Sequence, residues 1–328
     1  MDLLRETNID FMKYRKFWIW VSIALVIGGI FSAFFYEKLN FGIDFAGGTQ
    51  LTLRFPDRPD IERLRHLVER EGVADAVIQR FGQDQDHAVL IKTPIVAGEE
   101  EGSGDKLITA IKKEFGDSVQ VLARENVGPQ VGSELRKKGL YAVLWSLAGM
   151  LVYIAFRFEV QYGVGAIMAT IHDVLVTVGL FTAFGFEWNL TTIAAFLTLI
   201  GYSVNDTVVT FDRVRENLRK TRTEPLISVL NKSINQTLSR TLLTGGTVLL
   251  ASGALLVLGG DVLRGIAFVL FVGVIIGTYS SIYVASPFAL LWAQRFGKEA
   301  QRLKSGAAQQ LKPQQPAPKA KRAAGSRR

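Results

Sequence analysis

Apolar positions along the chain follow two different rhythms. Uninterrupted apolar runs occupy 17–36, 140–156, 162–184, 190–211, 238–258 and 262 to about 292. A helix crossing the hydrocarbon core of a bilayer needs about 17 to 25 such residues, so the pattern predicts a polytopic α-helical membrane protein with six transmembrane helices. Between the first run and the second the rhythm shortens. Residues 51–55 alternate apolar and polar as a strand does, and Ile61, Leu64, Leu67 and Val68 recur at helical spacing. Two more strands are expected at 76–81 and 88–92, then a helix around 107–115 and a strand at 119–123. The order βαββαβ predicts a small α+β ferredoxin-like domain over 37–138, between helices 1 and 2. Within it, Glu99 to Gly104 reads as a mobile loop, and Ser133 is expected to cap a short helix, 134–138, that leads into the second span.

Charge gives this outline an orientation. The net charge is +8, and its basic residues gather in three places. Arg5, Lys13, Arg15 and Lys16 precede the first run; Arg213, Arg215, Arg219, Lys220, Arg222 and Lys232 lie in the loop 212–237; the charged residues of the tail 295–328 are all Lys or Arg except Glu299. By the positive-inside rule the amino-terminal segment 1–16, this loop and the tail are cytoplasmic, which puts both termini inside and the 37–138 domain outside. The region 139–294 then holds helices 2 to 6. The first run lacks a small-x-small cleavage site and is expected to remain as a helix. Pro225 followed by Leu226, Val229, Leu230 and Ile234 predicts an amphipathic helix on the membrane surface. The tail, rich in Pro, Gln, Ala, Lys and Arg, is expected to be disordered. Anionic lipid is its expected contact in preference to ribosomal RNA, and no specific nucleic-acid partner is expected.

Candidate chemistry starts from Asp206, which the run 190–211 carries toward lipid. A charge near the centre of a membrane helix costs about 2.5 to 3.5 kcal/mol on insertion scales, so such acids usually face a bundle interior and work there. Tyr202 shares the face of Asp206 and is placed to donate to it. Arg240 opens the fifth run at a depth that suits a counter-ion. His172 and Asp173 form another ionisable pair halfway along the third run, and Ser203, Asn205 and Thr207 add polar groups. Together these compose a proton or sodium path, or else a static network that only fixes helix packing.

Elsewhere the sequence excludes more than it suggests. Cysteine is absent, so disulfides, thiolate nucleophiles and cysteine metal sites are impossible. His66 and His87 fall in the outer domain, so no metal site is expected. Without a catalytic triad or nucleotide fold, neither an enzyme nor a cofactor is expected. The segment Phe41 to Gln50 holds Asp44, Gly47 and Gly48 and reads as a tight turn, with no helix, in which Asp44 bonds local amides. Gly273, Gly277 and Ser281 form a small-residue stripe suited to close helix contact.

Three stretches taken together resemble the signature segments of the SecF family, membrane subunits of the bacterial Sec protein translocase. They are Phe41-Gly-Ile-Asp-Phe-Ala-Gly-Gly-Thr49, Gly201-Tyr-Ser-Val-Asn-Asp-Thr-Val-Val209 with Asp212-Arg-Val-Arg-Glu-Asn217, and Gln236-Thr-Leu-Ser-Arg-Thr241. The resemblance implies a six-span half of the resistance-nodulation-division type in the bacterial inner membrane. It also implies work beside SecD and the SecYEG channel, driving export of unfolded polypeptide with the proton-motive force. Asp206 and Arg240 are the residues it ties to proton movement. Two other readings are a non-conducting scaffold subunit and an exporter of lipids or small molecules.

Overall fold

Lipid offers backbone groups no hydrogen-bond partners, so spanning segments must satisfy them internally. Long helices do this throughout. The computed structural model describes residues 7–33, 39–73, 76–82, 84–94, 103–221 and 224–296; of the loop expected at 99–104, residues 99–102 lie outside the described residues, as does the tail beyond 296, while Ser103 and Gly104 are not loop but the first residues of a helix. The long helices are α1 (Arg15–Phe31), α5 (Pro129–Arg157), α6 (Val160–Ala183), α7 (Leu190–Lys220), α8 (Leu226–Leu258) and α9 (Gly260–Ser280). A π-turn, Ser281–Ala285, joins α9 to α10 (Ser286–Phe296). Five stretches among the described residues are long and apolar enough to cross a membrane: Phe11–Phe31, Val160–Ala183, Leu190–Lys220, Leu226–Leu258 and Val262–Phe296. The run 140–156 is the second half of the 29-residue α5.

Two expected boundaries are corrected by local chemistry. α5 does not start at a Ser133 cap: Gly128 is its N-cap and Pro129 its first residue, because proline presets the helical φ and lacks an N–H that would go unpaired there. Ser133 sits inside the helix and donates to the Gln130 carbonyl. The amphipathic stretch after Pro225 is the opening of the continuous 33-residue α8. Its apolar face does not lie on lipid. Leu226, Val229, Leu230 and Ile234 are buried in one cluster with Phe11, Met12, Phe158 and Val214. Asn231 and Asn235 fix that arrangement, accepting from the backbone N–H groups of Phe11 at 2.8 Å and Ile9 at 2.9 Å.

Close helix contact in the bundle depends on glycine. A Cβ added to Gly179 on α6 would lie 2.1 Å from the Cα of Gly29 on α1, so the two backbones touch with no side chain between them. Gly179→Val is therefore expected to force α1 from α6 and to lower stability by about 1 to 3 kcal/mol. Thermal unfolding of the purified protein in mild detergent measures this; an unchanged midpoint contradicts the contact.

The sheet-bearing domain between α1 and α5 follows the predicted element order. Its strands are β1 (Gly48–Arg54), β2 (Val77–Phe81), β3 (Ala88–Thr93) and β4 (Gln120–Val127), with helices α3 (Ile61–Arg70) and α4 (Ser103–Phe115). The sheet order is β2-β3-β1-β4 with every pair antiparallel. Alternation puts Leu51 and Leu53 on one face, opposite Ile91 and Val89 of β3. That face is covered by Leu64, Leu67 and Val68 of α3 and Leu107 and Ile111 of α4. Asp60 caps α3 by accepting from Glu62 and Arg63. The last strand runs further than the 119–123 expected, since Val127 pairs with Gly48 at the start of β1.

Candidate functional site

Asp173 on α6 is 1% exposed, and two other helices supply its partners. Its Oδ2 accepts from Ser203 Oγ of α7 at 2.5 Å and from Ser280 Oγ of α9 at 2.7 Å. Its Oδ1 lies 2.9 Å from His172 Nδ1. The other ring nitrogen, His172 Nε2, is buried and has no partner. Beside it stands Tyr279, with ring centroids 6.0 Å apart. The Tyr279 hydroxyl donates to the Trp18 carbonyl of α1 at 2.8 Å. It has a single proton to give, so the Ser22 hydroxyl, 2.7 Å away, is the donor to it. The cluster thus ties α1, α6, α7 and α9 together. The π-turn begins immediately after Ser280, a local departure from α-geometry of the kind that gathers at functional sites.

Asp206 lies one turn beyond Ser203 and faces α8. It is 3% exposed, and its Oδ2 has no hydrogen-bond partner. The Thr241 hydroxyl is its polar neighbour, and Arg240 is the cation whose field reaches it. No ion pair joins Asp206 to Arg240 among the described residues, and Arg240 is exposed. Nor does Tyr202 donate to Asp206: its hydroxyl is buried without a partner, lying against Gly245 and Thr244 of α8. Asn205 points outward and is exposed. The residues selected from sequence therefore fall into three groups. His172 and Asp173 join Ser203 inside the bundle, Asp206 and Tyr202 sit between α7 and α8, and Asn205 and Arg240 occupy the outward surface.

That surface has an unusual character for a helix of spanning length. Ala194, Thr198, Gly201 and Asn205 are exposed along one stripe of α7, and on α8 Arg240, Thr247, Ala251 and Ala254 are exposed beside the apolar Leu242, Leu243 and Leu250. A Cβ added to Gly201 or Gly246 would meet nothing within 4 Å. Small and polar residues of this kind mark helix-to-helix contact in membranes. Ser280, seven residues after Gly273 and three after Gly277, shares the face of the Gly273-Gly277-Ser281 stripe, but its partner, Asp173, lies on another helix far back along the chain, where sequence reading does not reach. The stripe does face α7, with Gly277 against Ser203 and Gly273 against Leu199.

At the loop end, the Asp212 to Asn217 segment staples neighbouring helices. Arg157 donates to Asp212 at 2.8 Å, and Asn217 donates to Ser233 and Gln236 of α8 at 2.9 and 2.8 Å.

At the opposite end, Phe41 to Gly48 departs from expectation. It contains one turn of helix, α2 (Ile43–Ala46), closed by Gly47 at φ 80°. Asp44 does not bond local amides. Its Oδ2 accepts from the backbone N–H of Leu190, the first residue of α7, at 2.9 Å. The cause is an unmet need, since the first turn of any helix has N–H groups without intrahelical acceptors. Gly48 is required because an added Cβ would come 2.4 Å from the Thr93 carbonyl of β3. No group of three or more His, Asp or Glu side chains suited to a metal ion occurs among the described residues.

Comparison with known proteins matches residues 107–295 to the family described as protein export membrane protein SecD/SecF, C-terminal, and residues 38–55 to the SecD/SecF GG motif. A protein translocase subunit SecF from Desulfurispirillum indicum is 44% identical over 300 residues, covering 89% of this chain and 94% of that relative. A subunit of the same name from Vibrio alginolyticus is 42% identical, covering 88% and 91%. The crystal structure of SecDF, a translocon-associated membrane protein from Thermus thermophilus, superposes with a TM-score of 0.76 at 40% identity. It covers 88% of this chain, which spans only 39% of the length of that one.

Proposed function

The chain belongs to the SecD/SecF family of protein-export membrane proteins, and from that membership we propose how its buried charges serve export. Its function is that of a SecF-type subunit of the protein translocase. In our reading α5 is the sixth membrane span, and the βαββαβ domain with its β2-β3-β1-β4 sheet is ferredoxin-like and extracytoplasmic. The distribution of Lys and Arg supports cytoplasmic termini in a bacterial inner membrane. SecD is the partner that covers the small and polar face of α7 and α8. The greater length of the SecDF chain supports this, because it leaves room for a second half. SecYEG and the emerging polypeptide complete the assembly. The tail contacts anionic lipid, and the role is one of transport without catalysis.

The observation that carries the reading is Asp206, buried in a spanning helix with a carboxylate oxygen unpartnered. We place a cycle there. With Arg240 turned outward, a proton reaching Asp206 neutralises it beside Thr241. Losing the proton restores a charge that draws Arg240 inward, and α8 shifts against α7. His172, with its open Nε2, and Asp173 extend the polar path toward α1, and Asn205 and Tyr202 flank its entrance. One charge crossing 100 mV supplies about 2.3 kcal/mol, so a few protons suffice for a conformational step.

The test uses vesicles containing SecD, this chain and SecYEG, with proton and sodium gradients imposed separately. Export is expected to accelerate under the proton gradient; no acceleration under either ion overturns the reading. A second reading, a non-conducting scaffold, draws support from Asp173, whose three donors already satisfy it. It predicts equal export with and without a gradient.

A further inference from the structure

The segment leaving α1 is fastened to the turn between α6 and α7 before it enters the sheet. The Trp188 N–H donates to the Asn40 carbonyl at 2.7 Å, and the Gly42 N–H donates back to the Trp188 carbonyl at 2.8 Å. The result is a short parallel bridge between Phe41 and Trp188. Gly42 leaves room for the Glu187 side chain, where an added Cβ would collide, and Glu187 pairs with Lys92 of β3. α5 braces the other side, since a Cβ added to Gly132 would lie 3.1 Å from Gly47 N and 3.2 Å from the Phe45 carbonyl.

Two side chains cap the start of α7, and they come from different places. Asn189 Oδ1 accepts from Thr192 N at 2.8 Å and belongs to the turn itself. Asp44 accepts from Leu190 N and arrives from α2. One end of α2 therefore holds the first residue of the helix that carries Asp206. Its other end is Gly47, which continues directly into β1, one of the two inner strands of the sheet. A hydrogen-bonded helix moves as a rod over such a length, so displacement of α7 at Asp206 reaches α2 through this contact.

The geometry points to Asp44 as the positioning residue of a joint, built on the α2 turn, through which α7 moves the outer domain. This rests on the proposed cycle at Asp206 and goes beyond it by naming the route from the charge to the mechanical output. The joint gives the glycine pair a purpose as well. Any side chain at Gly48 would push β1 from β3 at the point where motion enters the sheet.

The absence of cysteine allows a direct test, because labels can be attached at Glu69→Cys in α3 and Arg219→Cys in α7, both exposed, without background. In vesicles with SecD and SecYEG, pulsed electron resonance reads the distance between labels with and without a proton gradient. The parent is expected to show a gradient-dependent change. Asp44→Ala removes the acceptor. Leu190→Pro removes the donor while keeping the helix, since proline suits its first position. Both are expected to lose the distance change and to lower gradient-stimulated export about tenfold, the effect of one charge-assisted hydrogen bond, with Asp206-dependent proton uptake retained. Asp44→Asn keeps an oxygen acceptor and is expected to keep the change. Persistence of the change in both Asp44→Ala and Leu190→Pro overturns the joint, as does a loss in Asp44→Asn as severe as in Asp44→Ala. The cycle at Asp206 fails separately if Asp206→Asn shows the parent's distance change.

Discussion

Asp206→Asn is expected to abolish the gradient-driven part of export while leaving the chain assembled with SecD in the membrane. Asparagine has nearly the volume of aspartate and can still meet the Thr241 hydroxyl, so packing between α7 and α8 should hold. It cannot gain or lose a proton in the working range and presents no charge to Arg240. Driving energy of about 2.3 kcal/mol per charge at 100 mV then has no point of entry, a loss of up to about fiftyfold in rate per proton. Export assayed in vesicles with and without the gradient reads this directly, and membrane content measured alongside separates coupling from assembly. A normal gradient response in Asp206→Asn contradicts the account.

The largest effect on stability is expected at Asp173. Asp173→Leu keeps the forked shape with bulkier methyl groups in place of the oxygens and removes the acceptor, stranding the Ser203 hydroxyl and His172 Nδ1 in a buried site and leaving Ser280 only the Gly277 carbonyl. Removing one member of a buried charged network costs about 3 to 5 kcal/mol, because the remaining groups lose their partners and cannot regain water. Thermal unfolding in mild detergent should show the loss. Asp173→Asn retains one oxygen and is expected to fall between Asp173→Leu and the parent. If Asp173→Leu unfolds with the parent, the cluster does not hold α6, α7 and α9 together.

What the sequence made legible was whatever repeats locally. Leu51, Leu53 and Phe55 alternate because a strand has period two, and the α3 face followed from spacing of three and four. Asp206 stood out because a charge in an apolar run is costly wherever the helix places it. Pattern failed where the partner lies far along the chain. Leu226, Val229, Leu230 and Ile234 would look the same against lipid or against protein, and only Phe11 and Met12, folded back onto them, decide it. Asp44 carries no local sign of its role, since the N–H it serves is at Leu190. Ser280 was hidden for the same reason. Counting steps along α7 placed Tyr202 on the face of Asp206, but the hydroxyl turns toward Gly245 on another helix, which no count along one helix reveals.

Every later step of the cycle depends on Asp206 taking up the proton. Difference infrared spectroscopy of the complex in membranes, stepped from mildly alkaline to mildly acidic pH, observes a protonated carboxyl group directly. The prediction is a carboxyl band that appears on acidification, shifts on deuterium exchange, persists in Asp173→Asn and is missing in Asp206→Asn. The same band in Asp206→Asn as in the parent would contradict it.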